Sequence, residues 1–91
     1  MQNALEGKTG VIFGVANKRS IAWGCAQALS QAGMRLAFTY ANDRLEKAVR
    51  TLADALPGSL VLPCDVTRPD EIETVFENLR VEFGHLDTLV H

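Results

Sequence analysis

Gly14 stands between a short apolar run, Lys8-Thr9-Gly10-Val11-Ile12-Phe13, and a small-residue segment that starts Ser20-Ile21-Ala22, and this succession constrains the chain more than any other feature. The apolar run reads as a buried strand, about Thr9 to Phe13, and Ile21 to Ala32 reads as a helix ending at Gly33. Glycine lets the backbone turn off the strand with no side chain in the way. The first N–H groups of the helix have no intrahelical partner and carry partial positive charge, so a strand, a glycine turn and a helix start in that order attract a phosphate. Gly14 is therefore a candidate for close approach to an anion. Ser20 sits at the expected N-cap, where its hydroxyl either caps the helix or donates to a phosphate oxygen. The common G-x-G-x-x-G fingerprint is absent. In a G-x-x-x-G-x-G spacing counted from Gly14, the second and third glycine positions hold Lys18 and Ser20. On the turn alone, a bend that binds nothing is an equal reading.

The rest of the chain alternates apolar runs with segments of helical period. Met34 to Tyr40 predicts a second strand, with Leu36, Phe38 and Tyr40 on one face and Ala37 and Thr39 on the other. Asn42 or Asp43 offers the next N-cap. Leu45, Val49, Leu52, Ala53 and Leu56 then recur at helical spacing opposite the polar Arg44, Glu46, Lys47, Arg50 and Asp54, until Pro57-Gly58 ends the helix. Leu60 to Cys64 reads as a third strand, placed at a sheet edge because Pro63 cannot donate to a ladder. A third helix follows, capped near Thr67 or Asp70, with Pro69 in its first turn and Ile72, Val75, Phe76, Leu79 and Phe83 as its buried stripe. Gly84 closes it, and Leu86 to Val90 is a fourth strand.

Four strands separated by three crossover helices predict an α/β, doubly wound parallel sheet, Rossmann-like, in the order 3-2-1-4. That order puts the Gly14 turn at the topological switch point, where such sheets bind ligands outside the carboxyl ends of their strands. Asp65 lies on the same rim, and either accepts from an adenine amino group or caps its own turn. Ninety-one residues make one domain or a piece of one, and the net charge of −2 without basic clusters points away from nucleic acid. The first residues lack a signal-peptide pattern and no apolar run approaches bilayer length, so no membrane role is expected and the cytoplasm is the default compartment. Cys25 and Cys64 lack metal-ligand spacing and read as buried small hydrophobes; no metal site is expected. Trp23 reads as packing or surface cover, and His85 and His91 as loop or capping residues.

Gly14-Val15-Ala16-Asn17-Lys18-Arg19-Ser20-Ile21-Ala22-Trp23-Gly24, followed by Leu36-Ala37-Phe38-Thr39-Tyr40, Cys64-Asp65-Val66 and Leu89-Val90-His91, resembles the amino-terminal third of bacterial enoyl-acyl carrier protein reductases. These form a divergent branch of the short-chain dehydrogenase/reductase superfamily in which Ser-Ile-Ala replaces the last fingerprint glycine. The resemblance implies that residues 1–91 are the amino-terminal part of a single dinucleotide-binding domain. It further implies NADH-dependent reduction of the enoyl double bond of enoyl-acyl carrier protein in fatty-acid synthesis, by a homotetramer when full length. Gly14, Ser20 and Ile21 would hold the pyrophosphate and adjoining ribose, and Asp65 with Val66 would frame the adenine. Ala41 takes the place beside the adenosine ribose where the family often carries glutamine. Asp43 favours NADH and the adjacent Arg44 leaves NADPH open.

The family's catalytic Tyr-x6-Lys pair would lie beyond His91. Tyr40 has only Lys47, on an outward helix face, at comparable spacing, so no catalytic residue is expected within the chain. Two other readings stand beside this one: a reductase of the same superfamily acting on ketones or alcohols, disfavoured by Lys18 and Ser20 where it has glycine, and a dinucleotide-binding module without turnover. Residues 1–91 alone leave Leu86, Leu89 and Val90 uncovered at the fourth strand, so the isolated segment is expected to be poorly stable.

Overall fold

The computed structural model describes residues 4–15, 20–56 and 58–90; Lys18, Pro57 and His91 lie outside the described residues. The elements run β1 (Thr9–Ile12), α1 (Ile21–Gln31), β2 (Arg35–Tyr40), α2 (Asp43–Ala53), β3 (Leu60–Pro63), α3 (Pro69–Phe83) and β4 (Thr88–Val90). All pairings are parallel and the sheet order is β3-β2-β1-β4, the expected doubly wound arrangement. Pro63 pairs with Tyr40 on the outer strand β3, where its missing N–H breaks no inner ladder.

Period-two alternation in β2 divides the core between the two faces of the sheet. Leu36, Phe38 and Tyr40 join Ile12, Trp23, Ala26 and Val49 on the side of α1 and α2. Ala37 joins Val11, Phe13, Cys64, Val75 and Leu79 on the side of α3. Trp23 is buried with its ring 5.9 Å from that of Phe38, which makes it a packing residue. Each fully buried large side chain of this kind contributes about 1.5–3 kcal/mol.

Several local expectations are corrected. Strand and helix ends fall a residue or more inside the expected bounds: Phe13, Met34 and Cys64 lie just outside their strands, α2 stops at Ala53, and β4 begins only at Thr88. On α1, Ala22, Trp23, Ala26 and Leu29 turn toward the sheet, while Cys25 falls off that stripe and is exposed. Cys25 is therefore a surface thiol, whereas Cys64 is buried as expected. The N-cap of α3 is Arg68, in place of Thr67 or Asp70, and it makes no side-chain capping bond. Thr67 is instead drawn back onto Asp65.

At the amino-terminal end of the sheet, β1 is tied to the loop before β4. The Thr9 amide donates to Asp87 Oδ2 at 2.8 Å, the Asp87 amide returns a bond to the Thr9 carbonyl at 2.9 Å, and Thr9 Oγ1 donates to the His85 carbonyl at 2.6 Å. Leu89 on the outer strand β4 is 50% exposed. Among the described residues, no helix is long and apolar enough to cross a membrane.

Candidate functional site

The carboxyl ends of β1, β2 and β3 open on a cavity of about 460 Å³, with Gly14 and Val15 on one wall, Thr39 and Ala41 beside them, and Asp65 and Val66 opposite. This lies within the range of roughly 300–1,000 Å³ usual for small-molecule sites. Gly14 has φ 81°, and a Cβ added there would meet nothing within 4 Å among the described residues, so the glycine serves the backbone angle.

Ser20 is the N-cap of α1: its backbone is extended, and its Oγ accepts from the Trp23 amide at 3.1 Å. The Ser20 carbonyl accepts the first helical bonds, from Trp23 and Gly24, so the amides of Ile21 and Ala22 precede the intrahelical ladder. Ile21 is 88% exposed. The first turn of α1 carries no acidic residue, whereas α2 has Asp43 and Glu46 there and α3 has Asp70 and Glu71. Two helix dipoles are thus partly met by the protein's own carboxylates, whereas that of α1 is not; Ser20, Ile21 and Ala22 are not among the described residues that line the cavity.

On the opposite wall, Asp65 Oδ1 accepts from the Thr67 amide at 2.9 Å and from Thr67 Oγ1 at 2.6 Å. These bonds, the hydroxyl first, hold the carboxyl below its usual range, so at neutral pH Asp65 is anionic and only accepts. Turn capping therefore occupies Oδ1, and among the described residues Oδ2 has no hydrogen bond. Val66 is partly exposed beside it. Ala41 is exposed at the end of β2, and the cap that follows is Asn42, whose Oδ1 accepts from the Arg44 amide at 3.0 Å; Asp43 is the first residue of the helix.

Other reactive groups nearby are held quiet. Burial pushes the Cys64 thiol up, with Glu71 and Asp65 adding to the effect, so it stays protonated. Tyr40 is raised by burial and then by Glu46, and it lies against the Glu46–Arg50 ion pair on α2 as a neutral phenol. His85 is at the far end of the sheet, with Nε2 3.0 Å from Asp87 Oδ2. His91 lies outside the described residues. Among the described residues, no group of three His, Cys, Asp or Glu side chains is placed to hold a metal. The sequence reading missed Glu71, whose Oε1 accepts from the Asp65 amide at 2.9 Å. Its signal is an acid in the third position of a helix whose first residue is Pro69, the spacing of a side chain that reaches back over a helix start.

A family model described as Enoyl-(Acyl carrier protein) reductase matches residues 14–91. Among curated proteins, the NADH enoyl-[acyl-carrier-protein] reductase FabI of Bacillus cereus is 55% identical over 89 residues, covering 96% of this chain and 35% of that protein. FabI of Bacillus subtilis is 52% identical over 93 residues, covering 100% and 36%. A solved Bacillus cereus enoyl-acyl carrier protein reductase, with NADP+ and an indole naphthyridinone, superposes with a TM-score of 0.93 at 54% identity, over 100% of this chain and 36% of that one. The corresponding Anaplasma phagocytophilum reductase, in complex with NAD, gives 0.93 at 42% identity, over 100% and 35%. The chain thus spans about a third of the length of the relatives it matches.

Proposed function

The chain belongs to the enoyl-(acyl carrier protein) reductase family, and on that premise we propose that its 91 residues are the amino-terminal, cofactor-binding part of an NADH-dependent enoyl-acyl carrier protein reductase. The observation that carries this reading is the one cavity that the Gly14 turn and the Asp65–Val66 wall share at the carboxyl rim of the sheet, and α1, the helix that follows Gly14 in the chain, has no acidic residue in its first turn. The donor set suits a dinucleotide. The amides of Ile21 and Ala22 and the Ser20 hydroxyl suit the pyrophosphate and adjoining ribose, and Asp65 Oδ2 with the apolar Val66 suits an adenine amino group and ring face.

When bound, the nicotinamide supplies hydride to the β-carbon of an enoyl thioester. The residues described here anchor the adenosine end and orient the cofactor along the carboxyl rim. The hydroxyl that stabilises enolate-like charge, and its lysine, belong to a part of the enzyme outside these residues, and the assembly is a homotetramer. Within this proposal NADH is preferred over NADPH. The names of the relatives support it, and so does Asp43 beside the rim, although the cap is Asn42. Arg44, three residues after Ala41, is suited to a 2′-phosphate.

The test is the complete reductase carrying these residues, mixed with a trans-2-enoyl thioester of acyl carrier protein and either cofactor. The expected result is consumption of NADH dependent on the thioester, with NADH bound more tightly than NADPH. Binding without turnover would favour the non-catalytic module. Tighter NADPH binding that disappears in Arg44→Ala would assign the phosphate to Arg44.

A further inference from the structure

The start of α3 is built in an unusual way for a helix with an acid in its third position. In a capping box, the glutamate at that position reaches back to the amide of the N-cap residue. Here the N-cap is Arg68, and its amide donates instead to the Asp65 carbonyl at 2.9 Å. Glu71 passes over its own cap: Oε1 accepts from the Asp65 amide at 2.9 Å, six residues back, while Oε2 stands 3.3 Å from Arg68 Nε. The Asp65 amide is the first one beyond the sheet ladder, since Cys64 still donates to the Tyr40 carbonyl at 2.9 Å. Glu71 is therefore the group that holds the main chain at the point where β3 leaves the sheet and the cavity wall begins.

With its amide on Glu71, its carbonyl on Arg68 and its Oδ1 on Thr67, Asp65 is fixed at three atoms in the cavity lining, and among the described residues Oδ2 has no hydrogen bond. We propose that Glu71 is a positioning residue for the cofactor: by anchoring the Asp65 main chain it sets where the adenine-accepting carboxylate and Val66 stand, without touching the cofactor itself. This inference rests on the cofactor reading above.

An anchor on the adenosine wall acts on binding and leaves the hydride step alone, so its loss separates KM from kcat. In the complete reductase, Glu71→Ala is expected to raise the KM for NADH and the Kd of ADP-ribose by about tenfold, with kcat within about twofold of the wild type. Glu71→Gln keeps an oxygen that accepts from the Asp65 amide, and is expected to restore both constants to within about twofold. Amide exchange at Asp65 should be slow in the wild type and in Glu71→Gln and faster in Glu71→Ala. Wild-type ADP-ribose affinity in a folded Glu71→Ala overturns the proposal, as does a Glu71→Gln variant as impaired as Glu71→Ala. Fast exchange at Asp65 in the wild type overturns it whether or not Glu71→Ala folds. If the wild type binds no ADP-ribose, the cofactor reading falls and this inference falls with it.

Discussion

At the amino-terminal end of the sheet, Gly33 turns with φ 103° against protein: an added Cβ would stand 3.0 Å from the Glu6 amide nitrogen and 3.1 Å from Glu6 Cα. At the carboxyl-terminal end, Gly14 turns with φ 81° and an added Cβ would meet nothing within 4 Å among the described residues. The same backbone requirement is set in opposite surroundings, and the contrast extends to the neighbours. Around Gly33 the protein closes on itself, with Leu5 donating to the Ala32 carbonyl at 2.8 Å and Thr9 and Asp87 exchanging bonds nearby. With Gly14 the cavity is lined by Asp65, a carboxylate with one oxygen unengaged among the described residues, and by the exposed Val66, and the helix that follows Gly14 in the chain has no acid in its first turn. The difference separates two ends of one sheet: one rim is satisfied internally, and the other, which the proposed function assigns to the cofactor, keeps an open cavity and an unengaged carboxylate oxygen among the described residues.

The largest effect expected from breaking this contrast lies in the glycines. Gly33→Ala combines left-handed strain of roughly 1–2 kcal/mol with overpacking of roughly 1–3 kcal/mol, while Gly14→Ala carries the strain alone. Urea denaturation of both variants in the complete reductase should rank Gly33→Ala as the more destabilising, and equal losses would erase the distinction between the two ends. Next in size is Ser20→Asp. Aspartate caps a helix about as well as serine, so stability should hold within about 0.5 kcal/mol, while a carboxylate facing phosphate lowers dinucleotide affinity tenfold or more, about 1.4 kcal/mol. Titration with NADH checks it, and unchanged affinity in the folded variant removes Ser20 from the phosphate site.

The smallest effect belongs to the closed end. The Thr9 amide first, then His85 and Lys8, hold the Asp87 carboxyl below its ordinary 3.8. A lowered native value means that the stabilisation is present above the unfolded value and is lost as the pH falls through the native one. Asp87→Asn should therefore lower the melting temperature by a few degrees at neutral pH, with the gap closing as the pH is taken below 3.8. Cofactor affinity should not move. A variant that melts like the wild type at neutral pH but binds NADH weakly would reverse the assignment of the two ends.

Much of this was legible because it is local. The Ser20 cap follows from a serine immediately ahead of a small-residue helix, and the division of Leu36, Phe38 and Tyr40 from Ala37 follows from the strand's period of two. Pro63 foretold its edge strand for a similarly local reason, a missing donor. Cys25 misled because composition alone does not state the phase of α1; Trp23 and Ala26 set that phase by packing on the sheet. Thr67 looked like a cap for α3, yet its hydroxyl and amide are both taken by Asp65, and two capping geometries open to one residue are not ranked by spacing.

By itself, then, the sequence determined the order and type of the elements, the parallel order of the sheet and the place of the glycine turn, since hydrophobic period, proline chemistry and helix capping act within a few residues along the chain. Only the tertiary structure decided which polar groups meet. Thr9 reaches Asp87 across 78 positions because β1 lies beside β4, and Glu71 reaches the Asp65 amide because the chain leaving β3 folds back under the first turn of α3. The first depends on a distance fixed only once the sheet has closed; for the second, an acid at the third helix position signals a reach back over the helix start without saying which amide it meets.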